Sequence, residues 1–302
     1  MATVVVDNIK KRYGDITALK QTSFEVEKGT LFGVIGPDGA GKTTMFRILA
    51  TLLIPDSGKA LIDDQDVVED FLEVRKITGY MPGTFSLYED LTVEENLEFF
   101  ATIFDTTIQA HYHLIRDIYR QIEPFKDRLA GKLSGGMKQK LALSCALIHK
   151  PHILILDEPT TGVDAVSRQE FWDMLIKLKN RGITILVSTP YMDEAGLCDR
   201  VALIQGGGIM KIDTPDGVLR DFPHRIWAVK AAEPYRLLQD LRKYKGLAKI
   251  YPFGDSMHIT SQSNKLVTDD LYEHLKSRGH SGIEIVESSP TIEDCFMDLM
   301  QQ

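Results

Sequence analysis

The sequence predicts an α/β fold, a mainly parallel core sheet with helices between its strands, followed by a smaller α+β domain. Three observations predict it. An apolar run, Leu31–Ile35, leads into a glycine-rich loop and then a helical pattern. From 150 to 220 apolar strands and helical stretches alternate, as they do where a chain winds into a parallel sheet. Beyond 220 the order becomes βαββαβ, the ferredoxin-like pattern.

Taken in order, short β-like runs at Val4–Val6 and Thr22–Val26 open the chain, bounded by turns at Gly14-Asp15 and Lys28-Gly29. Strand Leu31–Ile35, a helix over 42–53 and a turn at Pro55-Asp56-Ser57-Gly58 follow. Residues 84–150 read as mainly helical, through VEENLEFFATIF, HYHLIRDIYRQIEPF and a helix opening at Ser134. Then come strand Ile153–Leu156, a helix over 167–180, strand Ile183–Val187, a helix over 191–197 and strand Val201–Ile204. The change of rhythm places a boundary near 220, giving domains 1–220 and 221–302. In the second, strands Ile226–Lys230, Ala248–Tyr251, Met257–Thr260 and Ile283–Val286 accompany helices Pro234–Lys243 and Val267–Ser277. A final helix is expected from Pro290, with Ser289 as its cap.

The 302 residues are 43% apolar and 26% charged, an ordinary globular composition. Lys and Arg number 35 against 43 Asp and Glu; the net charge of −8 argues against a nucleic-acid protein built on a basic face. Cys145, Cys198 and Cys295 lie far apart and form no CxxC, so reduced thiols of a cytoplasmic protein are expected, not a zinc site or disulfides. The histidines form no metal motif, and His149 and His152 are expected as a solvated pair. No run approaches the ~18 apolar residues of a membrane span, and the start MATVVVDNIKKRYG turns charged too early for a signal peptide. The chain is expected not to cross a membrane, while remaining able to dock on a protein that does.

Three motifs carry chemistry. GPDGAGKTT, residues 36–44, fits G-x-x-x-x-G-K-[ST] between a strand and a helix. Gly36, Gly39 and Gly41 let the backbone turn its N–H groups inward around phosphates, with Pro37, Asp38 and Ala40 completing the loop. The helix N-terminus adds partial positive charge. Lys42 supplies a full charge to the β- and γ-phosphates, Thr43 a hydroxyl to Mg²⁺, and Thr44 a further phosphate contact. The second motif, HILILDEPTTGVD, ends an apolar strand in Asp157, placed to hold Mg²⁺ through water, and Glu158, placed to polarise an attacking water; taken alone, the pair also reads as solvated carboxylates at a strand end. The third, LSGGMKQK, puts Ser134 at a helix cap and Gly135 and Gly136 in its exposed first turn. A second anion cradle on one chain makes sense if it reaches a phosphate held by a partner.

In this order and spacing the three motifs resemble the ATP-binding subunits of ABC transporters over residues 3–220, and GYMPGTFSLYEDLTVEENL and LSGGMKQKLALSCALIHKP resemble the ABC-2 exporter branch, including multidrug- and antibiotic-efflux ATPases. The resemblance implies a P-loop cassette with an antiparallel β subdomain and a helical subdomain at about 84–150, ATP and Mg²⁺ as cofactors, and ATP hydrolysis coupled to export through a separate integral-membrane permease. It also implies a second ABC ATPase chain, in a homodimer or heterodimer, and a cytoplasmic location on the inner face of the membrane. By the same resemblance Gly36 to Thr43 is the Walker A loop, Asp157 and Glu158 the Walker B pair, and Leu133 to Gly136 the signature. Tyr13 falls where an aromatic stacks on adenine, though it also reads as a strand-end tyrosine, and Asp164 falls in the loop linking the two sites of a dimer. Phe85, Leu87 and Tyr88 read either as permease contacts or as burial within the helical subdomain. The accessory domain is implied to serve dimer contact or regulation. Other readings stay open: a soluble ABC ATPase of ribosome or DNA, and a regulatory subunit for which ATP is structural.

Two positions depart from the family pattern. Gly83 stands where glutamine usually touches Mg²⁺ and water, and Pro190 where histidine usually contacts the γ-phosphate. The departures lead to the expectation that this chain binds ATP well and hydrolyses it slowly at its own Walker A site; the alternative is that some branches of the family work normally with glycine and proline at these two positions.

Overall fold

The computed structural model describes residues 2–261 and 267–300; the tail of the domain expected over 221–302, residues 301–302, lies outside them. The chain divides into two units, Met1–Pro215 and Asp216–Gln302. The first unit opens with β1 (Ala2–Tyr13) and β2 (Ile16–Glu27), then β3 (Leu31–Ile35), α1 (Lys42–Leu49), β4 (Ser57–Ile62), β5 (Gln65–Asp66), α2 (Phe71–Ile77) and β6 (Thr78–Met81). It continues through α3 (Val93–Ile103), α4 (Ile108–Tyr119), α5 (Gly135–Leu147), β7 (Ile153–Asp157), α6 (Ala165–Asn180), β8 (Thr184–Thr189), β9 (Arg200–Gln205) and β10 (Gly208–Asp213). Helix α7 (Pro215–Arg220) spans the division.

The core sheet has the order β10-β9-β3-β8-β7-β6. All its neighbours are parallel except the β9–β10 pair. Strands β3, β7 and β8 are buried at every position, which is why they read as continuous apolar runs and not as alternating ones. A second, antiparallel sheet has the order β2-β1-β4-β5. Both sheets contribute to one apolar core, in which Phe24 of β2 stacks on Phe32 of β3 with ring centroids 5.4 Å apart.

Several sequence expectations shift. Strands β1 and β2 run to 12 residues each, because their polar ends pair across the turn at Gly14, Arg12 with Thr17 and Tyr13 with Ile16. The helix expected over 42–53 ends at Leu49, and Thr51 takes φ 60°. The segment 191–197 forms a 3₁₀ turn, Met192–Leu197, not an α-helix, since its Glu194 side chain is drawn into side-chain bonds with Thr160 and Thr189. Strands β4, β5, β6 and β10 escaped the sequence reading. Strand β6 has four residues and includes Gly79, where a Cβ would lie 2.3 Å from the Ala146 carbonyl oxygen.

The helical part is ordered by buried polar bonds as well as apolar faces. Asn96 is fully buried; its amide nitrogen donates to Tyr88 O (3.0 Å) and Thr92 O (2.9 Å), and its oxygen accepts from Tyr88 N–H (3.0 Å). Thr92 and Glu95 form a capping box at the start of α3.

His149 corrects the expectation of a solvated pair. It is half-buried, stacks on Phe104 with centroids 3.8 Å apart, and its Nε2 lies 3.2 Å from Thr78 O. Its Nδ1 is buried and, among the described residues, has no hydrogen-bond partner. Burial lowers its pKa to about 4. His152 keeps an exposed side chain, 62% accessible, beside Asp63.

In the second unit, β11 (Ile226–Lys230), α8 (Pro234–Leu241), β12 (Leu247–Phe253), β13 (Ser256–Ser261), α9 (Thr268–Ser277), β14 (Glu284–Ser288) and α10 (Ile292–Leu299) follow one another. The sheet order β12-β13-β11-β14, with every neighbour antiparallel, is the ferredoxin-like arrangement. Trp227, Val229 and Ile259 on one face pack with Leu237, Leu241, Leu271 and Leu275 of α8 and α9. His258, opposite in parity, meets Asp294 of α10 at 2.8 Å on the other face. Helix α10 is capped by Thr291, not Ser289. Thr291 Oγ1 accepts from Asp294 N–H while the Asp294 carboxylate accepts from Thr291 N–H, a reciprocal pair that leaves Pro290 outside the helix.

His149 makes the first unit acid-sensitive. Its pKa in the fold lies below the ordinary value, so the unfolded chain takes up this proton first as pH falls. The stabilisation is complete above pH ~6.5 and is lost as pH drops toward ~4. With partial exposure discounted, the loss is roughly 2 kcal/mol. Urea unfolding at pH 7.5 and pH 5 measures it, and His149→Phe is expected to flatten that part of the pH slope.

Candidate functional site

The site gathers at the carboxyl ends of β3, β7 and β8, where ligands bind in open α/β sheets. The loop after β3 starts at Gly36, whose N–H donates to Thr189 O at the end of β8 (3.2 Å). A Cβ at Gly36 would lie 2.2 Å from Ile204 O. Gly41, the N-cap of α1, has φ 106°, and a Cβ there would lie 2.5 Å from Ala18 O. The first glycine is required by close packing and the second by both packing and backbone conformation. Between them Ala40 N–H donates to Pro37 O (3.2 Å), and Gly207 N–H donates to Ala40 O (3.0 Å). Asp38 and Gly39 form the exposed crest of the loop, with Gly39 at φ 76°.

Lys42 is the first residue of α1 and only 3% exposed. Its ammonium donates to Gly36 O (2.7 Å) and Pro37 O (3.0 Å) and lies 3.1 Å from Glu158 Oε1. A buried ammonium curled back into the mouth of a glycine loop at a helix N-terminus suits polyphosphate. Thr43 and Thr44 follow in the same turn, both half-buried.

Asp157, the last residue of β7, is 2% exposed, and its Oδ1 accepts from Ser188 Oγ (2.6 Å). Glu158 sits at φ 49°, a left-handed conformation costing a non-glycine residue roughly 1 kcal/mol. Its N–H donates to Ser188 O (3.1 Å) and lies 3.0 Å from Ser188 Oγ. Ser188 thus serves both acidic residues. Sequence reasoning missed that role, although Ser188 stands at the carboxyl end of an apolar strand. Behind the pair lies Tyr80, raised to about 12 by burial and then by the Asp157 charge.

Gly83 belongs to this site as well: a Cβ there would lie 3.1 Å from Asp157 O and 3.8 Å from Glu158 Cβ. Pro190 follows Thr189 directly. Among the described residues no cluster of three or more His, Cys, Asp or Glu could hold a metal ion by itself. One threonine hydroxyl and one buried carboxylate instead fit Mg²⁺, which keeps waters and takes phosphate oxygens as ligands.

Ser134 caps α5, its Oγ accepting from Met137 N–H (3.4 Å), and Ser134 and Gly135 are exposed. Gly136 packs against α6: a Cβ there would lie 2.7 Å from Ser167 Oγ. Asp164 caps α6, accepting from Val166 and Ser167 N–H, and the Ser167 bond holds its carboxyl below the ordinary range. Among the described residues, no hydrogen bond or ion pair joins 134–136 to 36–44. Tyr13 ends β1 with 46% of its surface exposed. Leu87 is buried, Phe85 is half-buried with the Lys138 ammonium 4.7 Å from its ring centroid, and Tyr88 is half-exposed against Phe99.

The fold and site are those of a P-loop ATP-binding cassette, and comparison with known proteins agrees. The ABC transporter family model matches residues 19–161. The chain is 37% identical to the probable multidrug ABC transporter ATP-binding protein YbhF of Escherichia coli K12, over 99% of this chain and 52% of that protein. It is 32% identical to Nod factor export ATP-binding protein I of Rhizobium sp. strain N33, over 99% of this chain and 98% of that one. It therefore spans about half the length of YbhF and nearly all of the second relative. Among solved structures, cbiO1 from Clostridium perfringens matches at 26% identity with TM-score 0.65, covering 73% of this chain and 91% of that one. The ATP-binding cassette MJ0796, solved as a dimer bound to ADP and Pi, matches at 26% and 0.63, covering 70% and 98%. The chain belongs to the ABC transporter family, as an ATP-binding protein.

The packing at Gly136 yields a test. Gly136→Ala is expected to push α5 from Ser167 and destabilise the unit by about 1–3 kcal/mol. Pairing it with Ser167→Gly should restore most of the loss, as read from urea midpoints.

Proposed function

We propose that this chain is the ATP-binding and ATP-hydrolysing subunit of an exporter, peripheral to the inner face of the membrane and docked on a separate permease. The observation that carries the reading is the buried Lys42 ammonium in the glycine loop, 3.1 Å from Glu158. Lys42 and the loop N–H groups hold the phosphates, Thr43 and Asp157 hold Mg²⁺, and Tyr13 stacks on the adenine. Bound Mg²⁺ neutralises phosphate charge. Glu158 orients and polarises the attacking water, and Ser188 anchors the backbone N–H of that residue. Ser134, Gly135 and Gly136 meet the γ-phosphate held by a second ATPase chain, and Asp164 lies between the two sites. The dimeric form of MJ0796 with ADP and Pi supports this pairing by similarity.

The permease contact is proposed at a groove of about 840 Å³ in the first unit, lined in part by Leu72, Pro82, Leu87, Phe100, Ile103 and Phe104. Leu72 and Ile103 expose 60% and 58% of their surface there. Among the described residues no helix is long and apolar enough to cross a membrane, so the membrane-spanning work is assigned to the partner.

The site's own turnover is proposed to be slow. Gly83 offers no side chain beside Asp157 and Glu158, and Pro190 has neither a titratable group nor an N–H. Losing two positioned contacts costs about 10²–10⁴ in rate. In a heterodimer the Ser134 tip would complete a faster site on the other chain.

The purified chain alone is expected to bind ATP with low hydrolysis, and Gly83→Gln with Pro190→His to raise the rate at least tenfold. Brisk turnover by the unmodified chain, abolished by Glu158→Gln, would refute the slow-site reading. Lys42→Ala is expected to weaken ATP binding in either case, by equilibrium titration.

A further inference from the structure

Pro190 gives the segment after β8 no polar side chain, yet the end of β8 is bound on both sides. Ser188 holds Asp157 and Glu158, as described above. Thr189, fully buried, donates its hydroxyl to Glu194 and accepts from Tyr191 N–H (3.0 Å). Glu194 is 2% exposed, and its other carboxylate oxygen accepts from Thr160 Oγ1 (2.8 Å), itself 2% exposed. A carboxylate is costly to bury without donors, and two hydroxyls supply them here. They come from chain segments 29 residues apart, the end of β8 and the loop after Glu158.

The contacts run on in both directions. Toward the phosphate loop, Gly36 N–H donates to Thr189 O. Toward the signature, Thr161 N–H donates to Glu158 O (3.2 Å) and Val163 N–H to Thr160 O (3.3 Å). Asp164 then caps α6 through Ser167 N–H, and the Ser167 side chain abuts Gly136. A purely apolar filler between β8 and the loop would be easier to bury, but it would not set their register.

We infer that Glu194 is a positioning residue: its carboxylate couples the end of β8, and with it the phosphate loop, to the Thr160–Asp164 segment and the signature helix beyond. Nucleotide held at Lys42 thereby resets the surface that this chain presents to its partner's phosphates. The inference rests on the ATP reading proposed above and adds the residue that transmits it.

Hydrogen–deuterium exchange of the full chain, with and without Mg-ATP, tests both separately. In the unmodified chain, ATP is expected to slow exchange in peptides covering 36–44 and 160–168 together. In Glu194→Ala the first response is expected to remain and the second to fall by about fivefold or more, the size of one net hydrogen bond. Thr160→Val should reproduce that loss if the alanine variant folds poorly. Glu194→Gln should retain the coupling, since an amide can accept from one threonine and donate to the other. An undiminished response at 160–168 in Glu194→Ala or Thr160→Val overturns the inference. So does uniformly faster exchange without ATP in both variants with the ATP response intact, which marks a merely structural carboxylate. Absence of any ATP effect at 36–44 in the unmodified chain overturns the nucleotide reading itself, and this inference with it.

Discussion

Asp157 and Glu158 stand where they do because β7 and β8 run parallel in one register, with Asp157 opposite Ser188. Parallel strands bring their carboxyl ends to the same edge, so the last polar residue of each is delivered to one place. Ser188 donates to the first carboxylate and receives the N–H of the second residue, which holds Glu158 in a left-handed conformation it would not otherwise favour. One strand further, the same β8 end accepts from Gly36 and fixes the start of the phosphate loop. The site is therefore a property of strand pairing before it is a property of any catalytic side chain.

Close approach explains the small residues around it. Gly36 admits the Ile204 carbonyl, Gly41 the Ala18 carbonyl and Gly136 the Ser167 side chain. Gly83 is different in kind. The space beside it is tight but not closed, with the nearest atom 3.1 Å from an added Cβ and no left-handed backbone to forbid a side chain. Packing does not demand glycine there. Pro190 likewise terminates a strand whose hydrogen bonds are already made by its neighbours. Neither residue brings a polar side chain to the carboxyl ends of β7 and β8.

Much of this was legible in the residues. The order of glycine loop, acidic strand end and serine-glycine helix cap carries its own chemistry, and the buried strands announce themselves as unbroken apolar runs. The helix caps at Thr92, Ser134 and Asp164 have donors and acceptors at local spacing, and Ser134 was read directly. Other features were hidden for physical reasons. Strand β6 is short and interrupted by Gly79, and β10 is half-buried throughout, so neither shows a clean period. Glu194 lies in a segment that reads as a polar helix; its burial depends on Thr160, 34 positions earlier. His149 reads as solvated because the ring that covers it, Phe104, comes from the C-cap of α3, far away in the chain.

By itself the sequence determined that a glycine loop joins a buried strand to a helix, which strands would be buried, and that a ferredoxin-like order follows, since these depend on local conformation and periodicity. Only the tertiary structure decided that Ser188 holds the Asp157 carboxylate and the Glu158 N–H together, that Gly83 borders these residues, and that Glu194 joins two distant segments. Those are contacts between residues far apart in the chain, and a hydrogen bond between such residues leaves no period or spacing from which it could be read.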